Sequence, residues 1–133
     1  MKEKNIQTIW NNWCAKHWEY GTAAFELKIS HKDSIPFSAV QDHQYRALRL
    51  AKKKLVYKIS DFDITAHKPF DSFLLQSALA YVGICWYEPR KKKLMVLIDV
   101  DKMIEERESS DRKSLTQERA EEISDYIIDL NLQ

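Results

Sequence analysis

A chain of 133 residues, 44% hydrophobic and 31% charged, has the size and composition of one globular domain with its own core. Two glycines and three prolines exclude long flexible linkers, and no apolar run approaches the length of a membrane span. Net charge is +1 but uneven: residues 1–98 hold 16 Lys/Arg against 9 Asp/Glu, a net +7, while residues 99–133 hold 5 against 11, a net −6.

The N-terminal "MKEKNIQTIWNNW" has no apolar signal core, so a cytoplasmic protein with no membrane partner is expected. Ile6, Ile9, Trp10, Trp13, Cys14 and Trp18 recur at helical spacing, with Gly21 as the stop. Tryptophans at this spacing read first as packing anchors. The two cysteines, Cys14 and Cys85, lie inside apolar patterns without a CxxC or Cys/His cluster, the pattern of buried free thiols rather than a zinc site.

"TAAFELKIS" reads as a strand closed by the polar loop "HKDS". Ser38 to Gln41 has the S-x-x-Q form of a capping box, which predicts a helix from there to about Lys53. Its apolar stripe would be Val40, Ala47, Leu48 and Ala51, with Gln44 inside the stripe. "KLVYKIS" is a second strand, "DFDITAHKP" a loop, and "PFDSFLL" a third strand or extended segment. "SALAYVGICWYE" and "KLMVLIDV" then form a hairpin across the basic turn "PRKKK". After the polar "EERESSDRK", Ser114 to Gln117 offers a second capping box, with Ala120, Ile123, Ile127 and Leu130 on one helical face. The layout α-β-α-β-β-β-β-α predicts an α/β (α+β) class domain, a central mixed sheet flanked by helices.

Glu26 and Lys28 share a strand face, because side chains alternate with period two, and Phe25, Leu27 and Ile29 take the other. A carboxylate and an ammonium on a mostly apolar strand need compensation. A water-facing salt bridge provides it, and so does a divalent cation held by one or two carboxylates. Gln44 on the inward face fits either a polar group at such a site or a glutamine bonded to strand backbone. The basic runs Lys52, Lys53, Lys54 and Arg90, Lys91, Lys92, Lys93 read as solvated ends or as phosphate contacts; their recurrence in a short chain favours a polyanion.

The segment "FELKISHKDSIPFSAVQDHQ" resembles the nuclease core of the PD-(D/E)XK superfamily, and specifically its RecU-type and phage-encoded Holliday-junction resolvases. The likeness rests on Glu26 and Lys28, on Ser34, Pro36 and Phe37 in the loop, and on His43 and Gln44; "KPFD" and "DRKSLTQERAEEI" extend it over roughly residues 5 to 123. It implies a restriction-endonuclease-like domain, a homodimer on branched DNA, Mg²⁺ (or Mn²⁺) as cofactor, and a bacterial or phage-infected cell. By this resemblance Glu26 and the Leu27 carbonyl hold the metal, Lys28 supports the nucleophilic water, and Gln44 positions it. The superfamily's upstream aspartate has no counterpart here, since only Glu3 and Glu19 precede Glu26. Asp71 in "KPFD" is the expected substitute, brought beside Glu26 by a rearranged strand order; otherwise it is a turn carboxylate. Asp61 and Asp63 are weaker candidates. Glu19, His43 and Ser38 are possible accessory residues, Lys68 a phosphate contact, and the Trp-rich helix a candidate dimer interface. Three readings stay open: a junction resolvase, another nuclease of the same fold, and a DNA-binding recombination accessory without cleavage.

Overall fold

The computed structural model describes residues 2–60, 67–88 and 92–131. Asp61, Asp63, Arg90 and Lys91 lie outside them. The elements are α1 (Glu3–His17), β1 (Ala23–Ser30), β2 (Ser34–Pro36), a 3-10 turn (Phe37–Ala39), α2 (Asp42–Lys53), β3 (Lys54–Lys58), β4 (Ser72–Gln76), β5 (Leu79–Trp86), β6 (Leu94–Asp99), α3 (Val100–Ser109), β7 (Ser114–Thr116), α4 (Gln117–Ile123) and β8 (Tyr126–Asp129).

A four-stranded mixed sheet in the order β1-β5-β6-β8 organises the chain. β5 and β6 are apolar almost throughout and buried on both faces, as the central strands of a covered sheet must be. They form the expected antiparallel hairpin, Val82 opposite Ile98. β1 runs parallel to β5, Glu26 beside Val82 and Leu27 beside Gly83, which requires a crossover that α2 supplies. A Cβ on Gly83 would sit 2.9 Å from Leu27 Cδ2, so glycine permits this close seating of β1.

Two apolar layers follow from strand alternation. On one face Val82, Ile84, Val96 and Ile98 pack with Tyr45 and Leu48 of α2, Met103 of α3 and Ala120 of α4. On the other, Leu27, Tyr81, Cys85, Met95 and Leu97 pack with Ile6 and Trp10 of α1. Trp10 stacks on Trp13 with centroids 5.3 Å apart and meets Phe25 edge-on at 5.2 Å. Trp18 meets Phe25, Tyr81 and Tyr126 edge-on. The tryptophans therefore anchor α1 to its own sheet.

Several sequence expectations need correction. The helix after β1 starts at Asp42, not Ser38, because buried Phe37 and Val40 first turn into the core. Ala47 is exposed, and Tyr45, Leu48 and Ala51 form the buried stripe. Val100–Ser109 is a helix that the expected layout lacks: the Asp99 side chain accepts from the Asp101 N–H, and Val100 and Met103 are buried. Ser114 lies in a short strand paired with β2, and Thr116 caps α4. Residues 126–129 are not helical; they form β8, which pairs with β6 from Leu94–Asp129 to Leu97–Tyr126.

Candidate functional site

The sharpest polar convergence among the sequence-chosen residues lies on β1, an edge strand of the sheet. Backbone parity sets its chemistry. Leu79 donates its N–H to the Thr22 carbonyl, and Tyr87 donates to that of Ser30, so even-numbered β1 residues direct backbone groups toward β5. The alternation turns the Leu27 carbonyl toward the open edge. Side chains alternate as well: Leu27 is buried against α1, while Glu26 and Lys28 point to the α2 side.

Lys28 Nζ lies 3.3 Å from Glu26 Oε1 and 3.8 Å from Oε1 of Glu3, which reaches the same edge from the first turn of α1. The Lys28 side chain is 14% exposed, Glu26 26% and Glu3 42%, so the group opens gradually to solvent. Two carboxylates around one ammonium leave the cluster one negative charge in excess. Gln44 completes it. Its Nε2 donates to Glu26 Oε1 at 2.9 Å, and its Oε1 accepts from the Gln41 backbone N–H at 2.9 Å. Gln44 thus closes the first turn of α2 and holds Glu26 with the same amide. On the outer side of that turn, Arg107 reaches Asp42 Oδ1 at 3.2 Å and lies 4.6 Å over the Tyr45 ring, fixing α2 against α3. At the end of β1, the buried Ser30 hydroxyl donates to the Ser34 carbonyl at 2.9 Å and ties down the following loop.

Asp71 is not brought to this group by the sheet. It immediately precedes β4, which pairs only with β3 among the described residues, in a separate two-stranded ribbon. Its side chain is 91% exposed and 3.2 Å from Lys68 Nζ. The expected strand rearrangement fails because β5, not β4, is the apolar strand that β1 needs beside it. Glu19, Ser38 and His43 are exposed, and no contact shown joins them to Glu26. Glu3 is the residue that sequence reasoning passed over. Its distance from Glu26 in sequence hid it, although an acid in a first helical turn is favoured there.

The lysines divide. Lys52 Nζ contacts Asp99 Oδ2 at 3.0 Å and Asp101 Oδ2 at 2.6 Å, so this charge is matched within the chain. Burial presses the Lys52 ammonium down, but its hydrogen bonds to Asp101 and Asp99 outweigh that and raise its pKa. Lys92 lies 3.9 Å from Asp129, and Lys68 is tied to Asp71. Lys53 and Lys54 are exposed at the end of α2 and start of β3. Beside the β5–β6 turn, a cleft of about 360 Å³ is lined by Lys32, Trp86, Tyr87, Glu88, Lys92 and Gln117, among others.

The residues at the β1 edge suit a hard cation only in part. Glu26, the Leu27 carbonyl and Glu3 offer oxygen donors of the kind Mg²⁺ accepts alongside water and phosphate. Among the described residues no group of three or more His, Cys, Asp or Glu is placed to hold a metal. No family model matches the chain, and no curated protein or solved structure matches it.

Proposed function

We propose that this chain is a metal-dependent endonuclease with a restriction-endonuclease-like domain, acting on branched DNA and most simply on a four-way junction. The observation that carries the reading is the convergence of Glu26, Lys28 and Gln44, with Glu3 beside them, on one open sheet edge. Glu26 and the Leu27 carbonyl would hold the metal, with Glu3 in the place expected for Asp71. When bound, Mg²⁺ or Mn²⁺ supplies Lewis-acid stabilisation of phosphate charge and lowers the pKa of its water.

The chain's own residues have separable tasks. Lys28, held between two carboxylates, presents an ammonium to a phosphate oxygen or to the attacking hydroxide, where negative charge grows. Gln44 acts as a positioning residue: with its carbonyl on Gln41 and one N–H on Glu26, it fixes the carboxylate's direction. Exposed Lys53, Lys54 and Lys92, with half-buried Lys93, would contact phosphates and so position DNA without reading sequence. Symmetric cutting of a junction needs two sites, hence a twofold homodimer.

A second reading has its own support: Asp71 lies outside the β1 pairing, and among the described residues no three-ligand group is formed. A DNA-binding accessory protein that does not cleave would tolerate that. The test incubates the protein with a synthetic four-way junction, a flap and a linear duplex, with Mg²⁺ or Mn²⁺ and with chelator. Paired nicks in the junction, lost in chelator and in Glu26→Ala, support the resolvase. Cleavage of flap or duplex instead keeps the nuclease and changes its substrate. Junction binding without cleavage under either metal leaves the accessory reading.

A further inference from the structure

The β3–β4 ribbon stands outside the main sheet. Its register sets Lys54 opposite Gln76, Val56 opposite Leu74 and Lys58 opposite Ser72, and these side chains share one fully exposed face. Val56 is 63% and Leu74 50% exposed. On the other face Leu55 and Leu75 are half-buried. The charge around the ribbon is one-sided: residues 43–60 hold six Lys/Arg and no Asp/Glu. Arg49 meets Asp101 at 3.6 Å, and Lys52 meets Asp99 and Asp101. Among the described residues Arg46, Lys53, Lys54 and Lys58 have no ion-pair partner. Asp71, just before β4, has the parity of Phe73 and Leu75 and so belongs to the other face, where Lys68 holds it.

We propose that this ribbon is an arm that lies in the major groove of duplex DNA, with its Lys54–Val56–Lys58 face toward the bases. A two-stranded ribbon is one of the two elements that a major groove admits. At about 3.3 Å per residue Lys54 and Lys58 stand about 13 Å apart, close to the groove's width of roughly 12 Å. Their ammoniums then reach phosphates on the two walls. Val56 and Leu74 between them face base edges, where thymine methyls are the apolar partners. Ser72 and Gln76 keep hydrogen-bonding groups in the same groove. An anionic bilayer would attract the same cations, but it would press Ser72 and Gln76 into hydrocarbon beside Val56 and Leu74 at a desolvation cost. α2 joins the arm to the β1 edge: Gln44 to Lys53 spans about 14 Å at roughly 1.5 Å per residue, well inside one duplex turn of about 34 Å. The assignment rests on the nuclease reading for its DNA partner but not for cleavage.

Fluorescence anisotropy of the full chain with a labelled thymine-rich duplex, in chelator and over a salt series, tests it. Lys54→Ala with Lys58→Ala should weaken binding about tenfold or more and lower the slope of log K against log salt by about 1.4–1.8, two phosphates' worth. Lys4→Ala with Lys16→Ala removes the same charge from exposed positions on α1 and should leave affinity within about twofold. Deoxyuridine in place of thymine removes only the C5 methyl. It should cost the wild type about fourfold per methyl contacted, and cost Val56→Ser with Leu74→Ser nothing further. Duplex RNA should bind more weakly than the deoxyuridine duplex of the same sequence, because A-form RNA closes its major groove to side chains. Far-UV circular dichroism checks that the variants are folded, and the nucleic-acid comparisons need no variant. A ribbon double variant that binds like wild type, an α1 double variant that loses as much, or RNA bound as tightly as DNA overturns the proposal. So does a wild type that ignores duplex DNA and sediments with phosphatidylserine vesicles, which gives the arm to lipid. Cleavage with Mg²⁺ is measured separately: DNA bound through the ribbon but left uncut fails the nuclease reading alone, and DNA cut without any loss of affinity in the ribbon variant fails the arm alone.

Discussion

Gln44 Nε2 donates to Glu26 Oε1 at 2.9 Å while its Oε1 accepts from the Gln41 N–H, so one amide joins the N-terminus of α2 to the β1 edge. Removing it frees a half-buried carboxylate and an uncapped N–H together. Gln44→Leu should destabilise the fold by about 1–2 kcal/mol in urea unfolding. Gln44→Glu keeps an acceptor for Gln41 but sets a second carboxylate against Glu26. Its deficit relative to wild type should therefore be small at acid pH and grow as pH rises through the carboxylate range. A deficit independent of pH would mean the two side chains do not face each other.

Lys28 serves the fold and the proposed chemistry, and the two can be separated. With Lys28→Met, Glu3 and Glu26 lose their shared cation, and stability should fall by about 1 kcal/mol, because the group is partly solvated rather than deeply buried. Junction cleavage should fall far more, by about a hundredfold or more, since the ammonium meets charge that develops during hydrolysis. Single-turnover nicking by folded Lys28→Met at a near wild-type rate would remove Lys28 from the chemistry.

Glu3 and Asp71 compete for the role of second acid, and geometry favours Glu3, which shares Lys28 with Glu26. Glu3→Gln should reduce cleavage by about tenfold or more and raise the metal concentration needed for half-maximal rate. Asp71→Asn, at a 91% exposed carboxylate paired with Lys68, should leave cleavage within about twofold and stability within about 0.5 kcal/mol. The opposite result would show that Asp71 reaches the site by a route other than the strand pairing within this chain.

What the sequence revealed about fold and site follows from the reach of each signal. Period-two alternation placed Glu26 and Lys28 on one face, and two apolar runs marked β5 and β6 as a paired hairpin; both signals are local, whereas the central place of that pair in the sheet is not. Gln44 was legible as an anomaly within a helical stripe, though its tie to Gln41 was not, because Ser38 offered a competing cap three residues earlier. Phe37 and Val40 decided that competition by their burial, which is a tertiary effect. Ile127 and Leu130 fit a helical period from Ala120, yet residues 126–129 cover the edge of β6 as β8. Glu3 was illegible because nothing in its own neighbourhood links it to a residue 23 positions later; only the packing of α1 does.

The lysine runs can be sorted by salt dependence. Lys52 is matched by Asp99 and Asp101, whereas Lys53 and Lys54 are exposed. Lys54→Ala should lower junction affinity and reduce the slope of log K against log salt by about 0.7–0.9 if the side chain neutralises one phosphate. Lys52→Ala should leave that slope unchanged and instead cost about 1 kcal/mol of stability, by leaving Asp99 and Asp101 facing each other. Equal slopes for all three proteins would place DNA on another face.

The buried ionisable side chains facing α1 make an alkaline limit to stability. Burial pushes the Cys85 thiol up to about 11 from 9.0, with Lys93 opposing weakly. Burial also takes the Tyr81 phenol up to about 12 from 10.0, helped by Tyr126, Asp125 and Asp99. Both groups are neutral when protonated, and their folded values lie above the unfolded ones. Their contribution is therefore complete below pH 9 and is lost as pH rises, from 9 toward 11 for Cys85 and from 10 toward 12 for Tyr81. Within its window each group should steepen the fall by up to about 1.4 kcal/mol per pH unit. Urea midpoints should hold from neutrality to pH 9 and then decline, and Cys85→Ala should flatten the first part of that decline. Native-state alkylation gives a second check: Cys85, fully enclosed between the sheet and α1, should react only as fast as the chain unfolds. Rapid labelling of Cys85 at pH 8 in the folded protein would show that α1 opens from the sheet, and the tryptophan anchors with it.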